Sequence, residues 1–265
     1  MERLEVDGLV IRETITGDSD ELLNILTADH GKIVIAGRGV RSLRNPHAAA
    51  VQLFAYSTLL LDKPKNYYYI RDSFYIENFE KIRYDVEKLA LATYMCDAAA
   101  EFALEDVPNP TLMQLILNAL YALAYREDIP DTKIKAAYEL RLISEEGFAP
   151  EIRTCGLCRE PLLDGGYLDV MNGRVLCKAC QEQYVHSAAY AMDDVTAKIH
   201  VRLTPAALSA MQYILAAPPK RLLSFQLDKS DLAVLGVACE RYFLNHVEHS
   251  YSSLEYYHSL QKFHL

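Results

Sequence analysis

Between residues 4 and 76, apolar and polar positions come in short runs that predict strands. Leu4-Glu5-Val6-Asp7-Gly8-Leu9-Val10-Ile11 is β-rich, and Lys32-Ile33-Val34-Ile35-Ala36 follows a turn at Gly31. Residues 51 to 61 are apolar and aromatic, and residues 67 to 76 alternate after the turn Lys63-Pro64-Lys65-Asn66. Several short strands with turns between them predict a small barrel. Residues 19 to 27 break the pattern, because Leu22, Leu23 and Leu26 have helical spacing and predict a short helix or turn between strands.

From about Asn78 the period becomes that of helices, with Phe79, Ile82, Val86, Leu89 and Thr93 on one stripe. Asn109-Pro110 is a capping residue followed by proline at the first helical position, ahead of Leu112, Leu115, Ile116, Ala119, Leu120 and Leu123. Thr204-Pro205 repeats that start for a helix that stops before Pro218-Pro219, and a last helix is expected over about residues 231 to 246. The fold class is therefore α+β. The expected domains are a barrel over residues 1–77, a helical domain over 78–250 holding a zinc finger at 151–185, and a tail over 251–265.

Composition agrees with a folded chain of two domains: 265 residues, 51% hydrophobic and 24% charged. No apolar run reaches the roughly 18 residues of a membrane span, and the start MERLEVDG lacks the features of a signal peptide, so a cytoplasmic protein is expected. Of six cysteines, Cys96 and Cys239 stand singly in apolar helical patterns. The other four, Cys155, Cys158, Cys177 and Cys180, form two CxxC pairs separated by 18 residues. That spacing suits tetrahedral Zn²⁺, and turn signals at Asp164-Gly165-Gly166 and Asn172-Gly173 would fold a ribbon that brings the pairs together. Four thiolates leave no open position, so a structural zinc ion is expected. The zinc deaminases are excluded by order: His246-Val247-Glu248 lies downstream, and neither CxxC follows a proline.

A net charge of -9 argues against nucleic acid as a partner, but charge is segregated. Residues 30 to 71 carry Lys32, Arg38, Arg41, Arg44, Lys63, Lys65 and Arg71 against Asp62 alone, seven positive charges less one, or +6. Gly37-Arg38-Gly39-Val40-Arg41-Ser42-Leu43-Arg44 places three guanidinium groups in a glycine-containing loop suited to phosphate. Phe54, Tyr56, Tyr67, Tyr68 and Tyr69 supply rings on which unpaired bases could stack, as in OB-type binders of single strands. A solubilising loop above a barrel whose core takes half of those rings accounts for the same residues. No nucleotide-binding loop, dinucleotide fingerprint or HExxH occurs, so neither an enzyme nor a nucleotide cofactor is expected. Glu145-Glu146, Asp193-Asp194 and His246, His249, His258 and His264 read as surface residues.

Several segments resemble one family. Gly8 through Thr14, Gly17-Asp18-Ser19-Asp20 with Leu22-Leu23, Thr27 through Lys32, and Gly37 through Arg41 are similar to the opening of the RecO family of bacterial recombination mediators. Ala137-Tyr138-Glu139-Leu140-Arg141-Leu142, Gly147-Phe148-Ala149-Pro150 and Cys155-Gly156-Leu157-Cys158 resemble its later half. The resemblance implies an N-terminal OB-fold barrel, a helical domain with a four-cysteine zinc finger, and no catalysed bond-making step. It further implies a place in the RecFOR pathway at the nucleoid. Expected activities are binding of single- and double-stranded DNA, annealing of complementary strands, and loading of RecA onto strands coated with SSB, together with RecR. The expected DNA contacts are Lys32, Arg38, Arg41, Arg44, Lys63, Lys65, Arg71, Tyr67 and Tyr69. Ser42 and Leu43 depart from the more basic loop usual in the family. The resemblance also implies capture of the acidic, apolar C-terminal tail of SSB, for which Lys133, Lys135 and Arg141, around Ile134 and Tyr138, are the candidates, although a solvated helix face would look the same. The rival reading is a zinc-ribbon adaptor whose barrel binds protein rather than DNA.

Overall fold

The computed structural model describes residues 2–42, 44–65, 67–185 and 199–262; Leu43, Asn66, Asp193, Asp194 and His264 lie outside them. Five strands close a barrel: β1 (Glu2–Ile15), β2 (Glu21–Thr27), β3 (Gly31–Gly37), β4 (Tyr56–Lys63) and β5 (Tyr68–Glu77). Their order is β1-β2-β3-β5-β4, with β4 pairing back onto β1. β3 meets β5 in parallel at Ile35↔Tyr68 and Ala36↔Tyr69, and the other pairings are antiparallel. This is the OB-fold arrangement. β1 serves two neighbours because a register shift between Val10 and Arg12 bends it. Alternate residues, among them Val6, Val10, Leu23, Ile25, Ile33, Ile35, Leu59 and Leu61, fill the interior.

The described helices are α1 (Val86–Phe102), α2 (Pro110–Tyr125), α3 (Asp131–Ile143), α4 (Lys178–Val185), α5 (Pro205–Ala216), α6 (Lys229–Val247) and α7 (Ser252–Gln261). The start signals hold: Asn109 accepts from the Leu112 N–H and Thr204 from the Ala207 N–H, each ahead of proline. Two expectations fail. Residues 21–27 are a strand, not a helix. Leu23 and Ile25 face the barrel core, while Leu26, of opposite parity, is buried on the side where α2 packs. Burial on both faces is what gave the leucines an apparent helical spacing. Of the stripe Phe79, Ile82, Val86, Leu89 and Thr93, the first two are buried ahead of α1, but Val86 is exposed and Leu89 and Thr93 are only half-buried, so the stripe does not continue as the core face of α1. α1 packs against β1, α2 and α7 and buries Leu91, Tyr94, Met95, Cys96 and Ala99, so it has no single apolar stripe.

The chain forms two compact units, Met1–Arg126 with Tyr251–Leu265, and Glu127–Ser250. The switch of period near residue 78 thus does not coincide with the break in packing. The connection between α1 and α2 is laid along the barrel: Lys32 N–H donates to the Leu104 carbonyl, Asp106 N–H to His30, and Asn109 N–H to Ala28. Gly31 permits that approach, because at φ +59° a Cβ would lie 2.1 Å from the Leu104 oxygen. Residues 252–261, set apart in sequence as a tail, form α7 on α1, with Ser253 and Arg12 both donating to Asp97. In the second unit α3, α5 and α6 pack together, beside a small antiparallel sheet of β6 (Gly166–Asp169), β7 (Arg174–Leu176) and β8 (His200–Leu203).

Candidate nucleic-acid interface and metal centre

In the second unit, Cys155 and Cys158 sit on a tight turn before β6, and Cys177 and Cys180 follow β7 into α4. The turn is fixed by Cys155 N–H to Glu160 at 2.8 Å, Gly156 N–H to Val175 at 2.8 Å and Arg159 N–H to Cys155 at 2.9 Å. The four sulfurs lie within 4.8 Å of one another, and Cys158 Sγ is 3.9 Å from Cys177 Sγ. Four sulfurs at about 2.3 Å from a tetrahedral zinc ion stand roughly 3.8 Å apart, so the set is sized for such an ion. Burial pushes the Cys155 thiol up, but N–H groups of Cys177, Cys158 and Leu157 outweigh it and hold the thiol down to about 6. At Cys155 that favours the thiolate a metal needs, while burial and the hydrogen bonds of the neighbouring cysteines push Cys180 up to about 12. Among the described residues no other group of three or more His, Cys, Asp or Glu side chains is close enough to share an ion. Cys96 and Cys239 are fully buried in α1 and α6, where loss of solvent raises both thiols.

In the first unit the connection from β3 to β4 is tied to the β1–β2 turn through Arg41 and reaches the start of β5 through Arg38 and Tyr69. The arginine loop is a chain of local hydrogen bonds. Gly39 N–H donates to Asp20 at 2.7 Å, Arg41 N–H to Ser19 at 3.2 Å, Ser42 N–H to Gly39 at 3.1 Å and Asn45 N–H to Ser42 at 2.9 Å. Gly39 holds φ +64°, a conformation costly for other residues. Arg38 places its guanidinium 4.6 Å from the Tyr69 ring centre and donates to the Tyr69 hydroxyl at 3.4 Å. Arg41 instead ties the loop to the β1–β2 turn, reaching the carbonyls of Gly17 and Asp18 at 3.4 and 3.2 Å and Glu21 at 3.5 Å. Arg44, Lys65, Tyr67 and Arg71 are exposed, and Lys63 lies 4.6 Å from the Tyr68 ring centre.

Not every residue singled out in the sequence comes to this loop. Lys32 stands at the opposite end of β3, where its ammonium donates to the Ala100 carbonyl of α1 at 3.1 Å. Phe54 is wholly buried, and Tyr68 packs against the barrel core. Tyr56 begins β4, at the end away from the β4–β5 turn, so of the five rings Tyr67 and Tyr69 are left at the rim. Two residues of the rim went unnoticed in the sequence. The Asn45 amide donates to the Arg38 carbonyl at 3.1 Å and its oxygen accepts from the His47 N–H at 2.8 Å, while His47 Nδ1 is 2.9 Å from Ser73 Oγ. The dipeptide Asn45-Pro46 directly after the arginines was the available signal, since Asn before Pro favours a structured turn.

The family model described as Recombination protein O N terminal matches residues 1–79, and the one described as Recombination protein O C terminal matches residues 83–255. The chain belongs to the RecO family. It is similar to a protein named DNA repair protein RecO from Acetivibrio thermocellus, 31% identical over 99% of each chain. A protein of the same name from Symbiobacterium thermophilum is 28% identical over 97% of each. RecO is thus a family of DNA repair and recombination, and its two sequence regions divide at the change of period, not where this chain divides by packing. No described helix is long and apolar enough to cross a membrane.

In the helical unit, the three cations expected to meet the SSB tail all have partners inside the unit. Lys133 donates to the Phe225 carbonyl and lies 4.6 Å from the centre of that ring. Lys135 bridges Glu139 at 2.7 Å and Glu240 at 2.6 Å, joining α3 to α6. Its burial alone would lower its pKa, but the two carboxylates reverse that and raise it. Arg141 donates to the last-turn carbonyls of α5, Ile214 at 3.1 Å and Leu215 at 3.0 Å, and pairs with Glu145 at 2.7 Å. These cations join α3 to its neighbours.

Proposed function

We propose that this RecO-family chain binds DNA, single strands foremost, across the barrel rim formed by Arg38, Arg41, Arg44, Lys63, Lys65, Arg71, Tyr67 and Tyr69. The observation that carries the reading is the Arg38–Tyr69 stack, a cation beside a ring at the loop end of an OB-fold barrel. A cationic groove follows the backbone while rings take bases, which is how such barrels hold unpaired strands. On this reading the protein anneals complementary strands and, with RecR, helps load RecA onto strands coated with SSB in the cytoplasm at the nucleoid. It catalyses no bond-making step. Lys32, engaged with α1 at the other end of β3, makes no contact with the strand on this reading.

The four cysteines hold Zn²⁺ as a structural ion, which on this reading contributes folding energy to the helical unit. The same unit takes the acidic tail of SSB. Lys133, Lys135 and Arg141 would reach that tail only by giving up their internal partners, so substituting them is expected to destabilise the unit before it reports on tail affinity. A second reading, an adaptor that binds protein instead of DNA, is favoured by one observation, the exposed run Phe74, Tyr75 and Ile76 on β5.

The direct test is annealing of complementary labelled oligonucleotides coated with SSB, with and without RecR. Acceleration by the wild type, reduced in the Arg38→Ala, Arg44→Ala double variant, supports the mediator reading. Equal rates with and without the protein would leave the adaptor reading standing.

A further inference from the structure

A cavity of ≈ 280 Å³ opens between the arginine loop and β5. Its walls divide by chemistry. Val40, Ile70 and Ala36 are apolar, Tyr69 contributes a ring with the Arg38 guanidinium against it, and Asn45 and His47 bring polar groups to the lining. A phosphate has no use for three apolar residues, and an aliphatic side chain has none for a guanidinium and an imidazole. A flat aromatic ring with polar edges uses both. The volume falls just below the roughly 300–1,000 Å³ of pockets that take drug-sized ligands, which suits one ring system and not a run of nucleotides.

The cavity is also built in advance. Asn45 bridges the Arg38 carbonyl and the His47 N–H, Ser73 fixes His47 through Nδ1, and Asp20 anchors Gly39. A wall already hydrogen-bonded loses little freedom when a ligand arrives. The exposed cations Arg44, in the same loop, and Lys65, in the turn before β5, flank it along the chain, as a base still attached to its phosphates requires.

From this geometry we propose that the cavity takes a single nucleobase of a bound strand, turned out of its neighbours' stack and seated against Tyr69. The proposal rests on the reading of the rim as a DNA-binding surface and adds to it a defined base seat. Arg38 borders the seat from the ring side, and His47, its Nδ1 engaged, has Nε2 left for a base edge. Because every base has a π face, the seat is tolerant of sequence.

The test compares oligo-dT with an oligomer of equal length in which every base is removed, so that phosphate number is unchanged. Affinities are measured at several salt concentrations for the wild type, for Tyr69→Leu, and for Ala36→Leu, which would fill the cavity from a half-exposed strand position and leave Tyr69 in place. Melting curves establish that each variant is folded. The expected result is that both variants lose about 5- to 150-fold in affinity for oligo-dT, the range one stacked base contributes; Ala36→Leu binds the baseless strand as the wild type does, and Tyr69→Leu, which also frees Arg38, loses less on that strand than on oligo-dT. Equal losses on both strands would mean that the residues act through the phosphate contacts, and the base seat is then wrong. Wild-type affinity of both variants for oligo-dT also removes the seat while leaving the DNA reading intact. If the wild type binds neither strand even at low salt, the DNA reading fails and the seat with it.

Discussion

Each of this protein's two units carries a set of three cations. Arg38, Arg41 and Arg44 lie in a loop of the barrel; Lys133, Lys135 and Arg141 lie on or near one helix of the other unit. In the loop, one guanidinium stacks on the half-buried Tyr69 ring, one ties down the loop and one is exposed without a side-chain partner among those described. On α3, all three bind groups on α5, on α6 or at Phe225. The difference arises from the backbone. A helix packed on two others must satisfy the charges it buries, whereas a loop of hydrogen-bonded turns meets its own backbone needs and leaves side chains to solvent. A run of positive charge becomes a candidate binding site only where its surroundings leave it unneutralised.

The sharpest way to separate the units is to remove the metal. Chelation of zinc, or Cys155→Ser, is expected to abolish the unfolding transition of the helical unit, since zinc-finger peptides derive about 10–16 kcal/mol from the ion. The barrel should keep its own transition in calorimetry and its affinity for single strands. One unaltered melting profile after chelation would refute the structural role.

Next in size is Lys135→Ala, which leaves Glu139, 0% exposed, without its cation. Breaking such a pair costs about 3–5 kcal/mol, readable as a lower urea midpoint for the helical unit. Because the folded-state pKa of Lys135 is raised, its contribution is present below the ordinary lysine value of 10.5 and is lost as pH rises through the higher folded value. The helical unit of the wild type should therefore weaken in alkali above that value, and Lys135→Ala should flatten that part of the pH profile.

The loop is expected to behave in the opposite sense. Arg38→Ala with Arg44→Ala should leave melting within about 0.5 kcal/mol of wild type, as surface substitutions usually do, while weakening single-strand binding. The smallest expected effect on DNA binding is that of Lys32→Ala. Loss of its bond to Ala100 should cost about 1.5–3 kcal/mol at most, as for hydrogen bonds to charged groups, with DNA affinity unchanged. A drop in affinity there would mean that the binding surface reaches the far end of β3.

Local signals carried much of this structure. The caps at Asn109 and Thr204, the turns around the two CxxC pairs and the alternation of β3 each depend on residues a few positions apart. What failed depends on distant partners. β2 looked helical because α2 covers its outer face, and α1 showed no true stripe because three elements surround it. The partners of Lys135 and Arg141 on α6 and α5 are 105 and 73 to 74 positions away, beyond any periodicity argument. Arg38 and Tyr69 were both legible as types, but that one stacks on the other follows only from the parallel pairing of β3 with β5.

The central claim is that the barrel rim binds single strands through its arginines. Fluorescence anisotropy of labelled oligo-dT across a salt series, on the wild type and on the Arg38→Ala, Arg44→Ala variant, tests it most directly. The account predicts affinity that falls steeply with salt in the wild type, and a slope shallower by about 0.7 for each phosphate contact removed in the variant. Affinity indifferent to salt, or identical in the two proteins, would contradict it.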